Sequence, residues 1–502
     1  MFIFSVLGLI ICLAAMTASL VTAWIFRPDN VRSRNDRVLY LLFHLSVVSS
    51  VWGLAAPRIG SAVTTFRVAI LLFAILYAVT LIRRRENPLK GLKSYQRLLF
   101  ATMGVMAAYG FATLLFFTGD RGYTFSRLSN LCLDILLCVS VVLYGRRTGM
   151  LHSLMMTLTV TLAGQTALAV AECFTGPIYT DTHMSQYGPS LFGLYNLRLP
   201  SGPTYNTNDF SAALFFMGVP VIAYWLYRLF SGRSRGAAIS IVIAIFSTQW
   251  FVSYCGGAIL VQIALLLLFL VVAIAFFMQL FKGRKTYILY FMMVPLLAIV
   301  LQIAPTIDMS VKNVTPNDSI LSESAVPPTP GGTNRDDFTG IGMGSKDVLK
   351  RTIYYRSTLL KFTLTTFADN PMGVGLGNTQ KLAEARISEK VNGISKMHCY
   401  GAECMADFGI PFVLCLLAFA LLYLKHSLIC IRNGRRNGHR FKIVYIILLL
   451  VSFPAAVFAS TAPSCAQDLM AMWIYFGLSV VMLEAGTREA AVPETKEPVK
   501  TV

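Results

Sequence analysis

Thirteen long apolar runs recur along the chain and constrain its fold more than any other feature. A helix needs roughly 20 mostly apolar residues to cross the hydrocarbon core of a bilayer. Backbone amides in lipid must be paired within their own segment, so such runs form helices. The runs are residues 2–26, 38–56, 68–82, 98–117, 131–144, 153–174, 210–230, 237–254, 258–281, 287–304, 410–424, 443–459 and 470–483. We therefore expect an all-α fold, a polytopic membrane helical bundle of about 12–13 transmembrane helices.

Charged residues are scarce and lie mainly between the apolar runs. They make up 13% of the chain, whereas a soluble domain carries about 25%. The first run has no Lys or Arg before Arg27, so it lacks the basic segment that opens a secretory signal peptide. We interpret this run as a membrane span.

The formal net charge of +19 is unevenly distributed. The basic clusters are residues 27–37, 83–97, 146–147, 228–235, 282–285 and 425–442. They occupy every second loop, as the positive-inside rule requires of cytoplasmic loops. This places the N-terminus outside and the tail after Leu483 inside. Because the chain has no basic soluble domain to dock on a duplex, we expect no nucleic-acid partner.

Two inter-span loops are long, and the charge alternation places both on the outer side. A loop of about a hundred residues must do more than connect two spans. We divide the chain into N-terminal transmembrane helices (1–174), central transmembrane helices with an Arg-containing outer loop (175–304), a large extracytoplasmic loop (305–408), C-terminal transmembrane helices (409–484) and a cytoplasmic tail (485–502).

The large loop has a predicted order of elements. It begins with a Pro-, Gly- and Ser-rich insertion over residues 306–344, typical of flexible or hairpin-like segments. Apolar periodicity then predicts a helix over residues 345–368, ended by Asn370-Pro371. A second, short helix is expected over residues 382–390.

Three alternate glycines separate the two expected helices. Gly373, Gly375 and Gly377 predict a turn of backbone with little side chain, which can approach other groups closely. Residues 397–407 then lead straight into the span that begins at Gly409.

The ten cysteines are scattered, and most lie within apolar runs, where a thiol behaves as a small hydrophobic group. Cys399 and Cys404 are the only close pair near the outer face. Their spacing on a predicted helix disfavours a disulfide, and no zinc-ligand spacing occurs in the sequence. We therefore expect no metal and no cofactor.

An outer-face enzyme acting on lipid-linked intermediates needs cations for a phosphate and a group that exchanges a proton. Arg356 and Arg198 could supply the cations, because a guanidinium matches phosphate oxygens and stays charged beside lipid. His398 could exchange the proton near neutral pH. Glu403 and Asp407 follow it and share a helix face. The structural alternatives are a solvated basic helix face for Arg356, headgroup contact for Arg198 and interfacial side chains for the rest.

These residues belong to three elements with recognisable spacing. The first is Arg198 with Gly202 and Asn206-Thr-Asn208 before a span; the second is Arg356, fifteen residues before Pro371 and the glycine run; the third is His398 with Glu403, Asp407 and Gly409. Together, over roughly residues 198–424, they resemble the outer-face motifs of the bacterial O-antigen ligase and O-antigen polymerase family. Cys399, Thr207 and Phe412 depart from the family's usual residues at their positions.

The resemblance implies glycosyl transfer at the outer leaflet of the bacterial cytoplasmic membrane. A glycan would pass from a polyprenyl-diphosphate-linked donor to a hydroxyl of a glycan or lipid acceptor, with membrane lipids as surroundings. Catalytic roles are implied for His398, Arg356 and Arg198. The two arginines would neutralise the diphosphate leaving group, and the histidine would act as base towards the acceptor hydroxyl.

Substrate-binding roles are implied for a second set of residues, namely Arg351, Glu403, Asn206, Gly375 and Gly377. The glycines would let the backbone approach the sugar or phosphate. Ligation to a lipid core, polymerisation of repeat units and synthesis of a wall teichuronic-type or exopolysaccharide chain need the same chemistry, so all three stay open. Attachment of glycans to protein is a further option within the family.

A lipid-linked glycan flippase or other multi-pass transporter is the alternative function. Transporters have similar span numbers, but they tend to show internal repeats and broken helices with charges near mid-membrane. The sequence has no internal repeat, and Asp134 is the clear charge within a run, with Glu172 near an outer boundary. A non-catalytic scaffold would leave the arginine–histidine pattern unexplained.

Overall fold

The computed structural model describes residues 2–59, 63–117, 120–175, 187–191, 195–198, 200–204, 207–230, 235–255, 259–280, 346–391, 397–437, 440–461 and 469–490 of the chain. Within these ranges the helices are α1 Phe2–Ile25, α2 Arg34–Trp52, α3 Thr65–Arg84, α4 Ser94–Ala112, α5 Arg121–Gly145, α6 Met150–Thr175, α7 Thr207–Phe230, α8 Arg235–Cys255, α9 Ile259–Leu280, α10 Lys346–Asp369, α11 Asn378–Ile387, α12 Tyr400–Arg436, α13 Arg440–Ala459 and α14 Met470–Ala490. Two antiparallel hairpins join β1 Arg58–Ile59 to β2 Val63–Thr64 and β3 Tyr187–Leu191 to β4 Tyr195–Arg198.

Eight of the described helices are long and apolar enough to cross a membrane by length and composition. They are α1, α3, α4, α5, α6, α7, α12 and α14, and shorter apolar stretches occur in α8, α9 and α13. The predicted all-α polytopic membrane fold is thereby confirmed. Each predicted run overlaps a helix except residues 287–304, which lie, like the insertion at 306–344, outside the described residues.

The second half of α2 is packed inside the bundle and carries polar groups there. His44 is fully buried, and its ring nitrogens lie 3.2 Å from Thr157 Oγ1 and 3.4 Å from Ser153 Oγ on α6. Because these polar groups hydrogen-bond across the helix pair, α2 is tolerated between apolar helices despite its lower hydropathy.

Helices α7 and α14 form the centre of the bundle. Phe210, Phe215 and Phe216 of α7 are fully buried, as is Tyr475 of α14. α14 packs against α5, α7 and α12, and α4 packs along α12. The core therefore fixes the ends of α4, α5 and α12 relative to one another, and these ends carry the candidate site.

The loop region contains both helices expected from its sequence. α10 coincides with the predicted helix at 345–368, whereas α11 begins at Asn378 rather than Leu382. A small separate core joins Leu359, Ala383 and Met397. α10 also packs directly against α12, so the described part of the loop is attached to the membrane bundle.

Candidate functional site

Helix α12 is interrupted near its start. Gly409 has φ 66° and ψ −163°, so the helix consists of two segments. The amide of Ile410 donates to the carbonyl of Pro371 at 2.7 Å, not to the preceding turn. Pro411 has no amide hydrogen to donate. The break therefore leaves two carbonyls of the preceding turn without their usual helical donors.

The glycine loop, residues 371–377, supplies the missing donors. The amide of Val374 donates to the carbonyl of Ala406 at 2.9 Å, and the amide of Gly375 donates to the carbonyl of Asp407 at 2.9 Å. Buried backbone groups are almost always paired. The two carbonyls at the helix break are thus satisfied by amides from a distant stretch of chain.

This exchange of hydrogen bonds requires two backbones to approach without side chains between them. Gly373 has φ +89°, and a Cβ there would lie 2.6 Å from the carbonyl oxygen of Asp407. Gly409 has φ +66°, and a Cβ there would lie 2.3 Å from the carbonyl carbon of Met372. Glycine alone fits both positions. The run forms the turn expected from the sequence, and its contact with a substrate stays a prediction.

Asp407 fastens the same loop through its side chain. The carboxylate is buried; its Oδ2 accepts from the amide of Gly377 at 2.8 Å, and its Oδ1 accepts from the amide and Oγ1 of Thr379 at 3.1 and 2.6 Å. These amides belong to the first turn of α11, where donors lack helical partners and negative charge is favourable. Asp407 therefore caps α11 from another helix, which explains why α11 begins at Asn378.

Glu403 lies one turn before Asp407 and faces a different partner. Its Oε1 is 3.7 Å from Nη2 of Arg127 on α5, and both side chains are largely buried. The same Nη2 donates to Oε1 of Gln380 at 3.2 Å, and the hydroxyl of Tyr123 donates to that oxygen at 3.2 Å. Buried charges are stable only when paired and hydrogen-bonded. The network thus ties α5, α11 and α12 together.

A more exposed ion pair reinforces this contact at the start of α5. Lys381 Nζ lies 3.3 Å from Oδ2 of Asp120, whose Oδ1 accepts from the amide of Tyr123 at 3.0 Å. The Tyr123 amide, and then Lys381, hold the pKa of the Asp120 carboxyl below its ordinary value. Exposed pairs contribute little energy, so this one aids orientation rather than stability.

His398 lies two residues before α12 in a backbone conformation that is uncommon for residues other than glycine. Its φ is +49°, a left-handed value that costs roughly 1–3 kcal/mol and clusters at functional sites. The preceding Met397 is buried, with Thr363 Oγ1 of α10 3.1 Å from its Sδ. α10 therefore packs along the segment that presents His398.

Arg356 lies on α10, three residues before Leu359, which shares an apolar cluster with Met397. The side chain of Arg356 is half-buried, and burial lowers the pKa of its guanidinium. It forms no hydrogen bond or ion pair with the residues that the structure describes. Arg356 and His398 thus belong to one packed unit, and no described residue occupies the donors of this arginine.

Arg198 ends strand β4, opposite Tyr187 in the hairpin, and β4 packs against α6. Glu172 at the end of α6 is fully buried. It accepts from the amides of Ser201 and Gly202 at 2.9 and 2.6 Å. This carboxylate therefore fixes the chain just after β4.

Three predicted positions fall partly or wholly outside the described part of the chain. Asn206 is outside the described residues. The backbones of Arg198 and Arg351 are described, in β4 and α10, but their side chains are not. The convergence of Arg198 with Arg356 and His398 therefore stays a prediction.

Arg127 is the main residue of the site that the sequence interpretation missed. It lies just before the predicted span at 131–144, and this position predicts a charged residue at the membrane interface. Arg127, Asn130 and Asp134 nevertheless follow one another at spacings of three and four, which places them on one helix face. A polar stripe that runs into an apolar segment indicates a buried polar network, so the sequence did contain a signal for the role of Arg127.

No family model matches this chain, and no curated protein matches it. The resemblance to O-antigen ligases thus rests on the motifs themselves and stays a prediction. Within the described residues, no three His, Cys, Asp or Glu side chains are grouped so that they could hold a metal ion.

Proposed function

We propose that this protein is a membrane glycosyltransferase acting on a polyprenyl-diphosphate-linked glycan at the outer leaflet, as an O-antigen ligase or polymerase does. The donor's glycan would be transferred to an acceptor hydroxyl, in the synthesis of a surface polysaccharide. The acceptor is a glycan or a lipid, and no metal or cofactor takes part in the proposed step.

The observation that carries the proposal is Arg356. Burial lowers the pKa of its guanidinium, which means that the surroundings partly desolvate the charge, and a bound anion would compensate for this. A diphosphate offers that anion, and its charge grows as the glycosidic bond breaks. Preorganised cations aimed at such developing charge are a large source of rate enhancement.

His398 supports the same chemistry from the adjoining segment. Its left-handed backbone is held by the buried Met397 on one side and by the start of α12 on the other. An imidazole in a fixed position can accept the proton of an attacking hydroxyl, which contributes about 10²–10⁴-fold to a rate.

The anchored glycine loop supports the proposal through rigidity. Asp407 and the helix break hold the loop, and the Glu403–Arg127 pair holds α11 and α12 against α5. Catalytic side chains must be held within a fraction of an ångström by a packed surrounding shell. Glu403, Gly375 and Gly377 would then act on the substrate mainly indirectly, by positioning the residues that contact it.

The test is glycan transfer by purified protein in proteoliposomes loaded with a polyprenyl-diphosphate-linked oligosaccharide. Arg356→Ala, His398→Ala and Arg198→Ala should each lose product by about 10²-fold or more, at equal protein levels. Lys361→Ala removes a charge from an exposed position on the same helix and should retain activity. Wild-type activity in any of the three alanine variants would refute that residue's assignment.

Transport is the second candidate, because α12 is a broken helix beside buried charges. Arg127, Asp134, Glu403 and Asp407 are all buried near the break or on α5, and transporters place ion and substrate sites at such interruptions. The same proteoliposomes separate the two functions. An enzyme converts the lipid-linked glycan to a new product, whereas a flippase moves it across the bilayer unchanged.

A further inference from the structure

A cavity of about 460 Å³ opens at the opposite end of the bundle from the candidate site. It is formed by the end of α5, the start of α6, the ends of α7 and α14 and the start of α13. Its charged and ring-bearing lining residues are Arg146, Arg147, His152, Tyr224, Tyr227, Arg228, Tyr445, Glu484 and Arg488. These helix ends adjoin the Lys- and Arg-rich loops, which the positive-inside rule assigns to the cytoplasm.

The lining carries a strong excess of positive charge. Four arginines face one carboxylate, that of Glu484. Glu484 is itself occupied: its Oε1 is 3.6 Å from Nη2 of Arg146, Arg488 pairs with the same oxygen, and Gln96 donates to its Oε2 at 2.9 Å. The described lining thus holds a formal excess of three positive charges, counting histidine as neutral. Glu86, outside the lining, offsets part of this excess, because its Oε2 lies 3.3 Å from Nη2 of Arg147.

The arginines are held in place by aromatic rings as well as by charge. The guanidinium of Arg147 lies 5.2 and 5.1 Å from the ring centroids of Tyr77 and Tyr144. Arg228 donates to the hydroxyl of Tyr224 at 3.1 Å, and that hydroxyl also hydrogen-bonds His152. Cation–π contacts and a hydroxyl partner orient the guanidinium of Arg228 without neutralising its charge. Arg147 is oriented by its two rings and also by a partly exposed ion pair with Glu86, and such a pair screens its charge only weakly.

Arg146 adds an unfilled donor to this preorganised set. Its Nη1 is buried and has no hydrogen-bond partner among the described residues. A buried, unsatisfied donor on a charged group costs free energy unless a ligand completes it. Glu484 already serves the other nitrogen, so Nη1 is a donor that an anion in the cavity could satisfy.

We infer that this cavity binds a phosphate-bearing anion, either the headgroup of an anionic phospholipid of the cytoplasmic leaflet or a soluble phosphate ester. Arginine forks match phosphate oxygens in pairs, and the tyrosine and backbone surfaces can cover the attached organic group. Basic pockets at this depth of a helical bundle suit anionic headgroups, because the cytoplasmic leaflet is negatively charged. The inference does not depend on the glycosyl-transfer proposal.

The experiment compares wild type with two lining variants, Arg228→Gln and Arg147→Gln. Neither variant removes a partner of the buried Glu484. Arg436→Gln, at an exposed position on the basic end of α12, removes the same charge and is the matched control. In one arm, protein from nanodiscs of phosphatidylcholine with added phosphatidylglycerol is analysed for retained lipid by native mass spectrometry. In the other arm, inorganic pyrophosphate is titrated while the melting temperature is followed.

If the anion binds in the cavity, the lining variants should lose affinity for the effective probe by about tenfold or more, as expected for loss of a charge-assisted hydrogen bond. Arg436→Gln should keep the wild-type affinity. Selective retention of phosphatidylglycerol identifies a lipid headgroup, whereas stabilisation by pyrophosphate alone identifies a soluble phosphate. Equal effects in the control and lining variants, or no response of wild type to either probe, would overturn the inference. If one lining variant does not fold, the other, compared with Arg436→Gln, still decides it.

Discussion

Replacing Asp407 tests whether one carboxylate anchors the glycine loop. Asp407→Asn keeps one oxygen, which can still accept from Thr379, but turns an amide group towards the donor of Gly377. Asp407→Ala removes every acceptor and leaves the buried amides of Gly377 and Thr379 unsatisfied. The two variants should therefore loosen the loop to different degrees.

The expected sizes follow from the number of lost hydrogen bonds. One unsatisfied buried donor costs about 1–3 kcal/mol, so the asparagine variant should weaken the loop by that amount and the alanine variant, with two unsatisfied amides, by roughly 2–6 kcal/mol. Each 1.4 kcal/mol is about tenfold in an equilibrium constant. Opening of the loop should thus become about 5- to 150-fold more frequent with asparagine and at least ~30-fold with alanine.

Hydrogen–deuterium exchange of the peptide covering residues 371–380 measures this opening directly. Asp369→Asn removes a carboxylate at an exposed position at the end of α10 and should leave exchange unchanged. If the peptide exchanged at the wild-type rate in Asp407→Ala, the carboxylate would not anchor the loop and the reasoning about α11 capping would be wrong.

Three further predictions concern the same region. Gly409→Ala should lower the melting temperature in detergent by several degrees or prevent folding, because its Cβ would overlap Met372. The control Gly401→Ala, with open space around it, should be neutral or slightly stabilising. Equal melting temperatures of the two variants would contradict the close approach of the two backbones. Arg127→Met and Glu403→Gln should each lower the free energy of unfolding by about 3–5 kcal/mol, as expected when a buried ion pair loses one partner. The double variant should lose less than the sum of the two single losses. Additive losses would rule out an energetic coupling between Arg127 and Glu403. Burial raises the pKa of the Cys399 thiol above its ordinary value, so less thiolate exists at neutral pH. The pH midpoint of its alkylation rate, followed by mass spectrometry, should lie above that of a free cysteine peptide, which is about 8.5; coinciding midpoints would show that the thiol is not perturbed.

Much of the loop's local structure could be predicted from its sequence. Apolar periodicity and the Asn370-Pro371 stop located α10, and alternate glycines located the turn after it. The start of α11 was predicted late, at Leu382, because its first turn has no capping side chain of its own. The cap is Asp407, and a cap from another element leaves no local signal.

Hydropathy over some twenty residues is a local property, so the apolar helices found among the described residues could be located from the sequence alone. The sequence also determined that a glycine run had to lie between two helices of the loop. The partners of these features became visible only in the folded chain. The break at Gly409 depends on donors from Val374 and Gly375, and the charge of Glu403 depends on Arg127 of α5. Hydrogen bonds and ion pairs between distant segments form only once the helices have packed, so neither pairing follows from one sequence.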